Sequence, residues 1–443
     1  MNEESKPVER VIGFDAHPDS FTAAILRGST PASAIVEKIF NKVPIGQLEK
    51  WAKNNTTAQD LFALEASGNS FQVVRTLARC QRKAKVLESC QMGKLKEAHA
   101  NNDKISAVRI GKAYLAGTAK EVWVPDAKTQ ERRDWFHAYR KATKRLTQMQ
   151  ARVRSYLSDN GVRLKKGTHL TNVGEVEEQI GKANKWSDRQ WQVIQLYLQD
   201  LRHAEQQRRH WRSLIAQEVL GDADLLAIVR LCGVREMIAF ALGAFIGDIN
   251  RFKHPKQLVK YVGLNPAFDD SGDSEWSGGI GGHGNKHLRC LLIEGAQAIL
   301  RCGTTELARW GKKLLASKGS INLAVAAIAR KLTVAVWYLM MGRWTPLQEI
   351  DERLCVKVTK IIGRVGQDHL KALGKTSKSL REEAYAKLKT GSAAAAVPKD
   401  KPVSEQNAGS KHLPEVTVYM LDPNKKFTSK AKSNSLAAEY GLR

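Results

Sequence analysis

Val11-Ile12-Gly13-Phe14-Asp15 and Leu61-Phe62-Ala63-Leu64-Glu65 are two short apolar runs, each ending in an acid. Phe21 to Leu26, Ala34 to Phe40 and Ala84 to Leu87 predict three further strands. Ile45 to Asn55 is amphipathic and predicts a helix, as does Asn69 to Arg82. Strands mixed with helices at this spacing argue for an α/β domain over residues 1–125.

The pattern changes after about Pro125. Trp135, Tyr139, Ala142, Leu146, Met149, Val153 and Tyr156 recur at alternating four- and three-residue steps, a heptad seam that Asn160-Gly161 stops. A second helix opens with a capping box, Ser187 with Gln190. Its seam is Ile194, Tyr197, Leu201, Ala204, Arg208, Trp211 and Ile215. The two helices of 126–220 suit a hairpin within one chain and a coiled coil between chains equally, and Arg208 in the seam favours a partner that satisfies it. Residues 221–345 read as mostly helical, with helices over Leu225 to Leu231, Glu236 to Ile246, His287 to Arg301 and Asn322 to Met341. A basic helical extension follows over 346–390. A tail over 391–443 starts as a linker rich in Ala, Pro, Lys and Ser and holds a possible strand, Val416 to Leu421. There are no internal repeats.

The chain has 443 residues, with 71 Lys and Arg against 45 Asp and Glu, a formal net charge of +26. An excess this large repels itself in a compact molecule and marks a polyanionic partner, nucleic acid first. No apolar run reads as long enough to span a bilayer, and the acidic, polar start Met1-Asn2-Glu3-Glu4-Ser5 is not a secretory signal. The six cysteines, Cys80, Cys90, Cys232, Cys290, Cys302 and Cys355, lack zinc-knuckle spacing and read as reduced, mostly buried thiols of a cytoplasmic protein.

Transfer of a phosphodiester needs charge neutralised around a doubly esterified phosphate, which divalent ions on carboxylate oxygens provide. Asp15 and Glu65 at strand ends, with Asp103 ahead of the amphipathic run Val108 to Tyr114, are candidate ligands. Taken singly, Asp15 suits a turn, Glu65 a surface position and Asp103 a helix N-cap equally well. Asp269-Asp270-Ser271-Gly272-Asp273 lacks apolar periodicity and predicts an exposed loop, where a serine is ordinarily a turn former. Ser274 and Ser277 compete with Ser271 by composition. Gly278, Gly279, Gly281, Gly282 and Gly284 would let backbone amides approach a phosphate. Lys286, His287 and Arg289 then place cations at a helix N-terminus, with Gly284 and Asn285 just before it. Leu231-Cys232-Gly233-Val234-Arg235 between two helical patterns suits a phosphate-gripping helix-hairpin-helix and a plain packing turn equally.

These residues together resemble the DEDD-type transposases of the insertion-sequence one-ten family, bridge-RNA-guided serine recombinases. The resemblance spans roughly Val11 to Gly342. It rests on Gly13-Phe14-Asp15, Leu64-Glu65-Ala66-Ser67-Gly68 and Asn102-Asp103-Lys104-Ile105-Ser106-Ala107. It rests further on the block from Phe252 through Tyr261-Val262-Gly263-Leu264-Asn265-Pro266, Ser271-Gly272, Gly278-Gly279-Ile280 and Gly284-Asn285 to Leu288-Arg289. The Gly-Gly-Ile element and Leu292-Ile293-Glu294-Gly295-Ala296 look most like the subgroup with subterminal inverted repeats.

The resemblance implies an α/β RNase H-like (RuvC-like) domain, a helical coiled-coil insertion used for dimerisation and a mostly helical serine transposase domain. It implies Ser271 as nucleophile and Mg²⁺ held by Asp15, Glu65 and Asp103. At the fourth carboxylate position this chain has Ser106, a poor Mg²⁺ ligand; Asp19 is a conceivable substitute. The implied partners are double-stranded donor and target DNA, a noncoding bridge RNA and further copies of the chain, a dimer or, in the active synapse, a tetramer, with no membrane. The implied setting is a prokaryotic cytoplasm, at the nucleoid during activity. The competing readings are a metal-dependent junction nuclease without a covalent intermediate and a catalytically weakened nucleic-acid-binding relative.

The charge excess predicts that duplex DNA affinity, measured by anisotropy, falls by orders of magnitude between about 50 and 200 mM salt. A flat salt profile would contradict the electrostatic reading.

Overall fold

A computed structural model describes residues 10–89, 102–182, 186–271, 274–343 and 353–390. The expected tail, its strand at Val416 to Leu421, and Cys90 lie outside these residues. The chain divides into two compact units, 1–126 and 127–443.

The first unit is built on a six-stranded sheet. Its strands are β1 (Arg10–Ala16), β2 (Ser20–Arg27), β3 (Ile35–Pro44), β4 (Leu61–Glu65), β5 (Lys83–Leu87) and β6 (Glu121–Val122), in the order β3-β2-β1-β4-β5-β6. β1 runs antiparallel to β2 and parallel to β4, and β4 runs parallel to β5. β1 and β4 are apolar almost throughout because helices cover both sheet faces. One face carries Ile12, Phe14, Phe21, Phe62 and Leu64 against α1 (Leu48–Asn55) and α2 (Ser70–Arg79). Phe14 and Phe21 stack there at 4.7 Å, with Trp51 edge-on to Phe21. The other face carries Val11, Ala63 and Leu87 against Ile110 and Ala113 of α3 (Asp103–Leu115). The outer strand β3 is mostly exposed, and its Glu37 pairs with Arg10 and Arg27.

α3 lies close on β1. A Cβ on Gly13 would stand 1.9 Å from the Ala107 carbonyl oxygen and 2.8 Å from the Gly111 nitrogen. A glycine on the strand and a glycine on the helix therefore bring two backbones into contact. Asn102 caps the helix by accepting from the Ile105 N–H at 2.9 Å. Asp103 is thus the first helical residue and not the N-cap.

The second unit begins with two long helices, α4 (Ala127–Asp159) and α6 (Asp188–Gly221), with α5 (Val173–Lys182) between them. The Ser187–Gln190 capping box opens α6. Arg132 near the start of α4 pairs with Glu218 and Asp222 at the end of α6, and Tyr156 near the end of α4 donates to the Gln190 carbonyl. The helices therefore run antiparallel within one chain. Ala142, Leu146, Val153, Ile194, Leu201, Ala204 and Ile215 of the expected seams are buried. Arg208 needs no second chain: its own neighbour Glu205 accepts two hydrogen bonds from it, at 3.0 and 2.8 Å.

The helical core continues through α7 (Ala223–Val229), α8 (Glu236–Ile246), α9 (Pro255–Val262), α10 (Lys286–Cys302), α11 (Glu306–Lys318) and α12 (Ile321–Met340). The turn between α7 and α8 is a packing turn: a Cβ on Gly233 would stand 2.5 Å from the Gly295 carbonyl oxygen of α10. α12 corrects the expectation that no run could span a bilayer, since it is long and apolar enough by composition. Its Ala324, Ile328, Leu332 and Trp337 are instead spent in the protein core, and Arg330 and Lys331 interrupt it.

The basic extension folds as α13 (Leu354–Val365), α14 (Gln367–Ala372) and α15 (Ser377–Thr390). Buried Lys357 donates to the Val229 and Leu231 carbonyls at 3.1 and 2.6 Å, and Lys387 to those of Leu220 and Gly221. Both ammonium groups thus close the carbonyl ends of helices, where the helix dipole favours a cation. The thiols are less buried than expected. Among the described residues Cys80 is buried, Cys232 and Cys355 are half-buried, and Cys290 and Cys302 are exposed because α10 turns its apolar stripe elsewhere.

Gly13→Ala is expected to destabilise the protein by at least about 1–3 kcal/mol, the usual cost of overpacking, because the new methyl meets backbone. Gly111→Ala is expected to cost less, because its methyl meets the Leu26 Cδ1 atom, which can turn away. Equal melting curves for the two variants would contradict the contact.

Candidate functional site

Side chains alternate along a strand, so Val11, Gly13 and Asp15 share the α3 face of β1. The same alternation puts Leu61, Ala63 and Glu65 on that face of β4. Phe14 pairs with Leu64, so Asp15 and Glu65 end adjacent parallel strands side by side. Asp103 enters from above, in the first turn of the helix that Gly13 lets down onto the sheet. Three acids distant in sequence thus reach one end of one sheet.

His17, which the sequence reading passed over, completes the group. Its Nε2 lies 3.9 Å from Asp15 Oδ2 and 3.5 Å from Asp103 Oδ1. That nitrogen is shielded from solvent and makes no hydrogen bond, although the ring as a whole is half-exposed. One ligand atom each from Asp15, His17 and Asp103 lie within 4.8 Å of one another. Bonds of about 2.1 Å to one cation separate its ligands by roughly 3–4 Å, so the donor set fits a single divalent ion. Two carboxylates facing each other repel, and a cation between them removes that cost. Glu65 stands beside the group but outside it. Ser106 lies one turn beyond Asp103, and Asp19 is exposed. The one local signal was its place two residues past Asp15, just beyond the end of β1.

The serine segment differs from the expected loop. Pro266–Ser271 and Ser274–Ile280 form strands β7 and β8 of an antiparallel hairpin. Ser271 pairs with Ser274 across its tip, and Phe268 pairs with Ser277. Gly278 and Gly279 are accordingly strand residues. The aspartates and glycines hid the strands because they are poor strand formers in general.

The hairpin is closed at its base. Gly263 (φ +80°) ends α9, and its Cβ would stand 2.0 Å from the His283 oxygen. Gly284 (φ +94°) has no room either, with Gly263 N at 2.6 Å. The Asn285 N–H donates to the Tyr261 carbonyl at 2.7 Å, and its side chain caps α10 by accepting from His287 and Leu288. Asn285 and Gly284 thus hold the neck together. Arg289 donates to the His283 carbonyl at 2.7 Å and so braces the same neck. Lys286 is exposed at the helix N-terminus.

His287 turns toward other rings. Its ring lies among Phe136, Phe245 and His137, stacked on Phe245 at 5.6 Å. Burial pushes its imidazole below the usual value, and the neighbouring His137, Arg140 and Lys286 push the same way. It packs as one ring of an aromatic cluster.

Residues 227–310 match the family described as the IS116/IS110/IS902 transposases. The chain is 35% identical over 125 residues to the transposase of insertion sequence element IS1111A from Coxiella burnetii, and 32% identical over 129 residues to a probable family 20 transposase of Pseudomonas aeruginosa. Each match takes in 28% of this chain and spans only 34% and 38% of those relatives. A putative transposase of Sinorhizobium fredii is 23% identical over 77% of this chain and 87% of its own length.

Asp15→Asn and Asp103→Asn are each expected to weaken divalent-ion binding by roughly 10–100-fold or more, the scale set by losing even a supporting partner. Calorimetric titration with Mn²⁺ checks this, and unchanged affinity in either variant would remove that residue from the site.

Proposed function

For a chain that belongs to the IS110 family of transposases, we propose that it cuts and rejoins double-stranded DNA as the enzyme of an insertion sequence, with Ser271 as its nucleophile. The carrying observation is that the matched transposase segment, residues 227–310, contains Ser271 and the whole braced neck of its hairpin.

In this reading the Ser271 oxygen bonds to phosphorus as the bond from phosphorus to the 3′ oxygen breaks. The hydroxyl proton passes to the departing oxygen. The products are a 5′-phosphoserine and a free 3′-hydroxyl, and a new 3′-hydroxyl reverses the step on a partner strand. Phosphoester exchange conserves the bond, so no nucleotide cofactor is consumed. A divalent ion, Mg²⁺ in this reading, would neutralise the charge that builds on the phosphoryl oxygens. Asp15 and Asp103 would hold it, with Glu65 alongside. The strand order β3-β2-β1-β4-β5 around these acids supports a RuvC-like, RNase H-type unit.

We further propose donor and target DNA as substrates, a bridge RNA that selects them by base pairing, and assembly through the long helices as a dimer that doubles to a tetramer in the synapse. The charge of +26 supports polyanionic partners of both kinds. The proposed setting is the cytoplasm of a prokaryote, at the nucleoid while active. The fact that the Asp15–His17–Asp103 group forms within the first unit favours a second reading, a metal-dependent junction nuclease that uses water.

A nicked suicide substrate separates the two readings. Wild-type protein is expected to become covalently linked to the 5′ end of the cut strand, and Ser274→Ala and Ser277→Ala to retain that product. Ser271→Ala is expected to abolish it. Full cleavage by Ser271→Ala would establish the nuclease reading instead.

A further inference from the structure

The metal reading leaves a ligand position open. Glu65 lies outside the close group, and Ser106 offers only a neutral hydroxyl where a fourth carboxylate is implied. We propose that His17 fills this position through Nε2, and that its nitrogen shifts the centre from Mg²⁺ toward Mn²⁺. The inference rests on the metal reading of the first unit and concerns which atoms hold the ion and which ion they select.

The carrying observation is the state of that one nitrogen. Nε2 is withdrawn from solvent, forms no hydrogen bond and faces carboxylates from two different elements at 3.5 and 3.9 Å. A buried nitrogen without a hydrogen-bond partner is costly unless something occupies the space before it. An ion does so and satisfies the nitrogen and both acids together.

The backbone fixes the ring's approach. The His17 N–H donates to the Ser20 carbonyl at 2.9 Å and tightens the turn between β1 and β2. The His17 carbonyl accepts from Asn69 Nδ2 at 2.8 Å. Asn69 is itself held by the Ser67 hydroxyl at 3.0 Å, in the loop that leaves Glu65. The turn bearing His17 is thus tied to the loop after the neighbouring strand, on the same sheet end as the acids.

Donor chemistry sets the selectivity. Mg²⁺ prefers hard oxygen ligands and keeps its waters, while imidazole nitrogen favours transition ions. Mn²⁺ accepts carboxylates and imidazole together. A nitrogen here therefore gains more for Mn²⁺ than for Mg²⁺.

The test uses the full chain loaded with Mn²⁺ and pulsed electron paramagnetic resonance. Protein carrying ¹⁴N-histidine or ¹⁵N-histidine is compared with His17→Ala and His17→Asp, each checked for fold by circular dichroism. Wild type is expected to show imidazole-nitrogen coupling to Mn²⁺ that changes with the isotope. Both variants are expected to lose it while still binding the ion. The preference for Mn²⁺ over Mg²⁺ in competition is expected to drop by about tenfold or more in His17→Asp, on the scale of other changes around metal ligands.

Mn²⁺ bound to wild type without nitrogen coupling would overturn the proposal and leave the metal site standing. Coupling that survives in either variant would overturn it too. Folded wild-type protein that binds no Mn²⁺ would remove the metal reading itself, and this inference with it.

Discussion

The contact between Gly13 and the backbone of Ala107 and Gly111 is the constraint on which the first unit depends. No side chain fits between strand β1 and helix α3 at that point. Strand and helix therefore meet at a distance set by backbone, the stiffest spacing available to a protein. Asp15 lies two residues beyond Gly13, and Asp103 lies one turn before Ala107. Their separation follows from a glycine's missing methyl rather than from any direct bond between them. The acids gain a fixed geometry without needing mutual attraction, which like charges could not supply.

The second unit solves a different problem, holding a strongly cationic chain in a compact helical body. It does so by turning charge toward backbone and toward scarce acids. Lys357 and Lys387 close the carbonyl ends of α7 and α6. Asp222 is pulled two ways: burial pushes its carboxyl up, but Arg132, the Leu225 N–H and Lys128 outweigh that and hold it at about 2. Glu236, almost wholly buried, meets both Arg212 and Arg364. The extension α13–α15 is therefore fastened to the helical body by charge as well as by apolar packing.

Much of this was legible in the sequence, because the signals were local. The apolar runs at 11–15 and 61–65, the Ser187–Gln190 cap and the long heptad helices each follow from residues near one another in the chain. The failures came where a distant neighbour decided the outcome. Ser271 reads as a loop residue until its strand partner is known, since Asp269 and Asp270 alone disfavour a strand. Arg208 reads as unsatisfied until the helix brings Glu205 three residues back onto the same face. α12 has the composition of a membrane helix, and only the helices packed on it account for its apolarity. His17 was overlooked because its only local signal is its place two residues past Asp15. Its meaning lies in Asp103, which the fold brings to it from far along the chain.

The neck formed by Gly263 and Gly284 has an evolutionary corollary. Both ends of the intervening segment are stitched together by backbone contact and by the Asn285–Tyr261 bond, so the helices beneath do not depend on what lies past the stitch. Between those anchors the chain can lengthen, shorten or exchange residues away from Ser271 without loosening the base. Change in the arm outside that serine is uncoupled from the stability of the helices that carry it.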